Sequence, residues 1–181
     1  MQTRIKLFHA YISLLAEHEP QTITIQQLTA YANVHRVTFY KHFQHIEHFY
    51  DTLMDYYVHE LYTFMKPLNY KRYEQGFERE PLIALFSHIQ EHAHIYNVLF
   101  LQTTQKPFYT YMQAFFQQKI QQHTEELASF DFPGTTVHPE IVAWYGMSAL
   151  IGTIQMLIHS GFVYTPEKLA HAYVALSPSF T

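Results

Sequence analysis

The chain has 181 residues, of which 48% are hydrophobic and 17% aromatic, with only 5 glycines and 8 prolines. This composition supports a buried core and excludes a disordered or collagen-like chain. Eleven basic against fifteen acidic residues give a formal net charge of −4, so any surface for nucleic acid has to be local. The absence of cysteine excludes disulfides, thiol catalysis and cysteine-ligated metals.

Two segments bear on where the protein resides. The first ten residues, MQTRIKLFHA, lack the apolar stretch of a secretory signal, which predicts a cytoplasmic protein. Residues 141–158 form an uncharged run of 18 residues, at the lower limit for a membrane-spanning helix. Because this run contains Ser148, Thr153 and Gln155 and no lysine or arginine lies close to its ends, we expect a buried bundle helix and no membrane contact.

Apolar residues recur at helical spacing through almost the whole chain. The first helix opens at Thr3 and ends at Glu19-Pro20, and a capping box from Thr24 to Gln27 opens the second. Asn33 marks a turn, since asparagine tolerates the left-handed conformation. Further helices are predicted over 35–43, 46–65, 81–94, 95–101, 107–129, 139–160 and 166–176, with a loop over 66–80 and a break at 131–134. No strand or repeat is evident, so we predict an all-α fold: an N-terminal three-helix unit and a C-terminal helical bundle.

Residues 23–43 have the pattern of a helix-turn-helix, whose second helix can enter the major groove of DNA. Phe39 and Phe43, spaced i, i+4, are predicted to face the first helix together with Val34. The remaining side chains of the second helix face outward or to the flanks: Arg36, Val37, Thr38, Tyr40, Lys41 and His42. This outward set combines cations, a hydroxyl, a phenol and a methyl-bearing surface, which suit base edges and phosphates.

The sequence also resembles a known family over about residues 5–55. Ile23-Thr-Ile, Ala32-Asn-Val34 and Thr38-Phe-Tyr-Lys-His-Phe43, followed by Glu47 and an apolar helix, resemble the signature of TetR-like (tetracycline-repressor-like) transcriptional regulators. The resemblance implies a homodimer whose C-terminal bodies bind a small molecule and dimerise through a four-helix bundle. It implies a DNA-binding domain over 1–45, a linking helix over about 46–66, and a regulatory and dimerisation domain over 46–181.

Carried over position by position, the resemblance implies a DNA-contacting set. Major-groove contacts are implied for Arg36, Val37, Thr38 and Lys41, phosphate contacts for Tyr40 and His42, and a capping and backbone role for Thr24, with His35 at the usual serine-like cap position. Asn33 replaces the usual turn glycine. His45-Ile46 replaces the usual Ser-Lys pair, which removes one expected phosphate-binding cation.

The charge of the N-terminal segment leaves two readings open. Residues 1–50 carry four basic side chains and three acidic ones, a net charge of 4 − 3 = +1, whereas strong nonspecific DNA binders carry far more. The first interpretation is a ligand-responsive repressor that binds a palindromic double-stranded operator. The alternative is a co-activator of the same family that acts through a protein partner and does not itself bind DNA.

The C-terminal body offers a candidate effector pocket, because a cleft between bundle helices lined by rings and a few polar groups is the default site for an apolar ligand. The candidate pocket residues are Tyr57, Phe86, His92, Tyr96, Met112, Phe115 and Trp144. They predict a small apolar or aromatic effector. A stripe of small residues predicts the dimer interface, because small side chains let helices approach closely. It comprises Ala143, Gly146, Ala149 and Thr153.

Two other function classes have weaker support. His88 and His92 share a helix face, but a zinc site needs three or four ligands from more than one element. We therefore predict no metal and no cofactor, with an all-α metal- or haem-binding protein as an alternative. No Gly-rich phosphate loop, Gly-x-Ser-x-Gly or His-Glu-x-x-His sequence occurs, so we do not expect an enzyme.

Overall fold

The computed structural model describes residues 2–65, 79–101, 107–123, 130–132 and 135–176. Its helices are α1 (Gln2–Leu15), α2 (Ile25–Tyr31), α3 (Arg36–His42), α4 (Ile46–Met65), α5 (Arg79–Glu91), α6 (Ala93–Leu101), α7 (Phe108–His123), α8 (Pro139–His159) and α9 (Pro166–Leu176). A single 3-10 turn over Pro20–Thr22 precedes α2 in the described chain. The all-α fold class predicted from the sequence is confirmed.

Several elements differ from the predictions: the first helix, for example, ends at Leu15 and not at Glu19-Pro20. Strands β1 (Phe130–Phe132) and β2 (Thr135–Val137) pair antiparallel in a two-stranded sheet where no strand was expected, since three-residue strands are too short to show a period of two. The helix predicted over 81–94 begins at Arg79 and ends at Glu91. Residues 66–78 of the predicted loop and 124–129 of the predicted seventh helix lie outside the described residues.

An aromatic core holds the N-terminal helices together. The Phe8 ring of α1 lies 6.2 Å from Phe43 and 5.6 Å from Phe49, centroid to centroid, and Phe39 lies 5.2 Å from Phe43. All four side chains are almost completely buried. Tilted and edge-on ring pairs of this kind each add about 0.5–1.5 kcal/mol beyond area burial. The core therefore fixes which face of α3 points inward and which faces solvent.

The helices of the C-terminal body pack in pairs, α5 along α9 and α7 along α8, with α4 against α5 and α7. Hydrogen bonds tie α4 to both parts of the chain. The Tyr50 hydroxyl donates to the Pro20 carbonyl at 3.3 Å, and the Tyr111 hydroxyl of α7 donates to the Asp51 carboxylate at 2.8 Å. As a result, α4 contacts both the aromatic core of the N-terminal helices and the C-terminal body.

The uncharged run at 141–158 lies in α8, a helix of 21 residues. In the part of the chain that the structure describes, no helix is both long and apolar enough to cross a membrane. One side of α8 packs against α6, α7 and α9. Its apolar residues on that side belong to the core of the body.

Candidate nucleic-acid interface

The helix-turn-helix begins with a reciprocal cap at α2. The Gln27 amide N–H donates to the Thr24 side-chain oxygen at 3.2 Å, and the Thr24 amide N–H donates to the Gln27 side chain at 2.9 Å. Two backbone donors that the first turn leaves without helical partners are thereby satisfied. The capping box predicted from the sequence is confirmed.

The turn between α2 and α3 depends on Asn33. Its φ of 51° places it in the left-handed region, where asparagine is among the few tolerated non-glycine residues. The Val34 amide then donates to the Thr29 carbonyl at 2.9 Å, which closes the turn. The predicted left-handed conformation at Asn33, in place of glycine, is confirmed.

The inner face of α3 is apolar and buried. Phe39 and the adjoining Phe43 have essentially no exposed surface, and Val34 packs against the same core. Phe39 also lies 5.8 Å from the ring of Phe49 on α4, so α3 is fixed against both α1 and α4. This is the orientation that the i, i+4 spacing predicts.

The outer face of α3 carries the side chains proposed for DNA contact. Arg36, Val37 and Lys41 are exposed, Val37 to 70%, while Thr38 is half-buried at the edge. The Arg36 guanidinium donates to the Tyr40 hydroxyl at 3.1 Å and lies 5.6 Å from the centre of its ring. The other members of the predicted set, His35, Tyr40 and His42, are exposed, and His35 makes no capping bond with its side chain.

A second polar arrangement, missed in the sequence, lies at the start of α4. The His48 amide donates to Nδ1 of His45 at 3.2 Å, and the Gln44 amide donates to Nδ1 of His48 at 3.2 Å. Nδ1 of His45 also lies 3.0 Å from the Glu47 carboxylate. The i, i+3 spacing of His45 and His48 across the start of α4 was the sequence signal for this arrangement.

Three of the predicted pocket residues lie close to one another. Tyr57, His92 and Tyr96 come together around two residues that the prediction omitted, Glu60 of α4 and His88 of α5. Nε2 of His88 lies 3.0 Å from the Tyr96 hydroxyl and 3.9 Å from the Glu60 carboxylate. Of the remaining predicted pocket residues, Phe86 and Met112 are fully buried, Phe115 packs on His59 and Tyr62, and Trp144 is half-buried on α8.

Burial shifts the ionisation of this group, which we call the Glu60 cluster (Tyr57, Glu60, His88, Tyr96). Desolvation raises the pKa of the Glu60 carboxyl, although the nearby His92 partly offsets the rise. Desolvation, and then His92, lower the pKa of His88. Burial also raises the pKa of both tyrosine hydroxyls. Within the described residues no group of three or more histidine, aspartate or glutamate side chains is placed to hold a metal ion.

The predicted small-residue stripe of α8 is divided between two faces. Ala143 is buried, Gly146 and Thr153 are half-buried, and Ala149 is exposed. The Gly146 carbonyl accepts a hydrogen bond from the Tyr173 hydroxyl of α9 at 2.7 Å, so it faces its own subunit. The exposed face of α8 carries a different stripe, Ile141, Tyr145, Ala149, Gly152 and Met156, which we call the α8 stripe.

Comparison with known proteins identifies the family of the chain and solved structures with a similar fold. A TetR-type family model described as "Transcriptional regulator C-terminal region" matches residues 78–177, more than half of the chain. The structure is similar to a TetR transcriptional regulator from Streptococcus agalactiae, with 22% identity, a TM-score of 0.63, and coverage of 97% of this chain and 93% of that chain. No curated protein matches the chain.

Two further solved structures share the fold. One is the dihydroxyacetone kinase operon activator DhaS, with 18% identity, a TM-score of 0.61, and coverage of 96% of this chain and 93% of that chain. The other is NalD of Pseudomonas aeruginosa, the secondary repressor of the MexAB-OprM multidrug efflux pump, with 18% identity, a TM-score of 0.60 and the same coverage. An activator and a repressor thus have the same fold, so the fold does not determine the direction of regulation.

Proposed function

Because the chain belongs to the TetR family of transcriptional regulators, we propose that it represses transcription by binding operator DNA as a homodimer and is released by a small molecule. The observation that carries the proposal is the outer face of α3. Arg36 and Lys41 are exposed there, opposite the buried Phe39, on a helix that a reciprocal cap and a left-handed turn hold in place. Such a helix fits the major groove and presents donors to base edges.

The α8 stripe supports the proposed homodimer. Its five members follow at intervals of three and four residues, so they form one continuous strip along the helix. Tyr145 is 60% exposed and Ile141 61%, which is costly for a strip of this length facing water. Small residues at Ala149 and Gly152 leave space for the backbone of a second helix. The same strip on a second copy would bury these side chains and pair the two recognition helices.

The effector acts, in this proposal, by shifting the population of dimer arrangements. Two recognition helices reach successive major grooves only when they are about 34–36 Å apart. A ligand that binds more tightly to a different arrangement lowers operator affinity by the same coupling free energy. Helix α4 would carry the change, because it contributes Tyr57 and Glu60 to the body and Phe49 and Tyr50 to the N-terminal unit.

The family-related alternative is a co-activator that acts through a protein partner. It is favoured by the net charge of +1 over residues 1–50, and by the absence of lysine at position 46, where Ile46 is half-buried. Few exposed cations mean few released counterions and weak nonspecific affinity for DNA. In that case the outer face of α3 would contact protein.

A direct binding experiment separates the two functions. The purified chain is titrated against a labelled duplex from the region upstream of its own gene, and against a scrambled duplex of equal length, at stated salt concentrations. For the repressor we expect affinity for the upstream duplex about 10³-fold or more above that for the scrambled one. Equal, weak affinity for both duplexes at low salt, with a folded dimeric protein, would contradict direct operator binding and favour the co-activator.

A further inference from the structure

The Tyr57 hydroxyl of the Glu60 cluster has no hydrogen-bond partner among the described residues, although its side chain is only 1% exposed. A buried hydroxyl without a partner loses its hydrogen bonds to water and gains nothing in return, which is rare in native proteins. The neighbouring Tyr96 hydroxyl, by contrast, is paired with Nε2 of His88. The Tyr57 hydroxyl is therefore a buried donor without an acceptor among the described residues.

The Glu60 carboxyl beside it also lacks a strong partner. The nearest atom able to carry positive charge is Nε2 of His88, at 3.9 Å, which is too far for a hydrogen bond. No lysine or arginine pairs with Glu60 in the described ranges. His88 is a poor counter-charge, since its burial lowers its pKa and favours the neutral ring. The half-buried Glu60 thus has no lysine or arginine as a counter-charge in the described ranges, and only the histidines His88 and His92 lie near it.

Aromatic rings lie close to His88, the histidine that faces Glu60. Phe64, one turn beyond Glu60 on α4, has its ring centroid 4.8 Å from that of His88, and His92 lies 4.4 Å from His88 on the neighbouring turn. The Tyr57 and Tyr96 rings are 6.3 Å apart. The negative faces of aromatic rings attract organic cations, most strongly where water is excluded. Carboxylate and rings thus favour the same ligand charge, and disfavour an anion.

From this arrangement we propose that the Glu60 cluster binds the ammonium group of an organic cation with an apolar or aromatic body. The ammonium pairs with the Glu60 carboxylate against the ring of Phe64, and the unpartnered Tyr57 hydroxyl can donate to an acceptor atom in those ligands that carry one. The proposal deepens the proposed function, because it assigns a charge class to the effector. The ligand class is narrower than the apolar or aromatic effector predicted from the sequence, since it adds a positive charge.

The test uses three probes that share one body and differ in charge: 3-phenylpropylammonium, 3-phenylpropanol and 3-phenylpropanoate. Binding to the purified full chain is measured by calorimetry or by ligand-observed NMR, without DNA. We expect the ammonium to bind about tenfold or more tightly than the alcohol, and the carboxylate to bind weakest. Equal binding of the three probes, or no detectable binding of the ammonium, would overturn the proposal.

Matched variants locate the effect. Glu60→Gln keeps the shape and removes the charge, so it should abolish the preference for ammonium while leaving the affinity for the alcohol unchanged. Glu17→Gln makes the same change of charge at an exposed residue beyond α1 and should leave the preference intact. Tyr57→Phe removes the unpartnered hydroxyl, so it should not lower the midpoint of thermal unfolding. A preference for ammonium that survives Glu60→Gln would show that the cation binds elsewhere.

These measurements remain separate from the test of DNA binding. A chain that binds the upstream duplex but shows no charge preference among the probes retains the proposed function and loses the assignment of the ligand. A chain that prefers the ammonium but fails to bind the duplex retains the ligand site and loses the operator. Each result therefore decides one proposal.

Discussion

Replacing Arg36 by alanine should weaken operator binding much more than binding to unrelated DNA. The guanidinium lies on the exposed face of α3 and already donates one hydrogen bond, to the Tyr40 hydroxyl at 3.1 Å. A base contact is worth about 1–3 kcal/mol, and a dimer contains two copies of α3, so the loss should be about 2–6 kcal/mol. Releasing Arg36 from Tyr40 costs at most about 0.5–1.5 kcal/mol per copy, which places the expected loss in the lower half of that range.

The assay is fluorescence anisotropy on the upstream and scrambled duplexes over a series of salt concentrations. Arg36→Ala should lower affinity for the upstream duplex by about thirtyfold or more and change affinity for the scrambled duplex little. Lys168→Ala removes one charge from the exposed surface of α9 and serves as the control. If Arg36 contacts phosphate, both duplexes should lose affinity equally and the salt slope should fall by about one per contact. That result, or wild-type affinity, would refute the base-reading role.

The variant Tyr40→Phe tests whether the tyrosine orients the arginine. It removes the acceptor of the Arg36 hydrogen bond but keeps the ring over which the guanidinium lies. If Tyr40 positions Arg36, the double variant should lose less operator affinity than the sum of the two single losses. Strict additivity would mean that the two side chains contact DNA independently.

Three further predictions concern stability and assembly. Thr24→Ala should lower the free energy of unfolding by about 1 kcal/mol in urea titrations, and Thr24→Ser by little, since serine retains the cap; equal losses would contradict the cap. His88 has a lowered pKa in the folded chain, so the unfolded chain binds more protons. The contribution of His88 to the free energy of unfolding is therefore fully present above about pH 6.5 and is lost on acidification below it. The variant His88→Gln should flatten the fall of stability between about pH 7 and pH 5. An unchanged slope of stability against pH would refute this. Ala149→Glu should raise the dimer dissociation constant in sedimentation equilibrium by about a hundredfold, because it buries an unpaired charge. Ala114→Glu on the exposed side of α7 should not, and equal effects of both would argue against the α8 stripe.

The features of the helix-turn-helix that the sequence predicted are local ones. The cap at Thr24 depends on a residue three positions away, and the turn at Asn33 on the conformational range of one side chain. The burial of Phe39 and Phe43 follows from a spacing within one helix. Each can be read from a few neighbouring residues, and each is present in the structure.

The Glu60 cluster could not be predicted in the same way, because it joins three helices whose packing is set by the whole body. Sequence spacing related His88 to His92, but nothing local relates His88 to Glu60, which lies 28 residues earlier on another helix. The predicted pocket therefore included Tyr57 and Tyr96 and omitted Glu60 and His88.

Helix α8 shows a different limit. It is apolar on all sides, so its periodicity does not indicate which side faces the core. Of the predicted stripe, Ala143 lies inward and Ala149 outward in the structure. The exposed apolar residues Ile141 and Tyr145 were not part of the predicted stripe. Only the positions of α6, α7 and α9 determine that choice.

The length of α4 has a geometric consequence. Twenty residues at 1.5 Å each make a rod of about 30 Å, with Glu60 near one end and the hydrogen bonds of His45 and His48 at the other. Tilting such a rod by about 5° around its body end displaces the opposite end by about 2.6 Å, since the arc is the length times the angle. That displacement is close to the length of a hydrogen bond. A ligand that changes the packing of α4 only slightly at its body end would therefore move the recognition helix out of register with the groove.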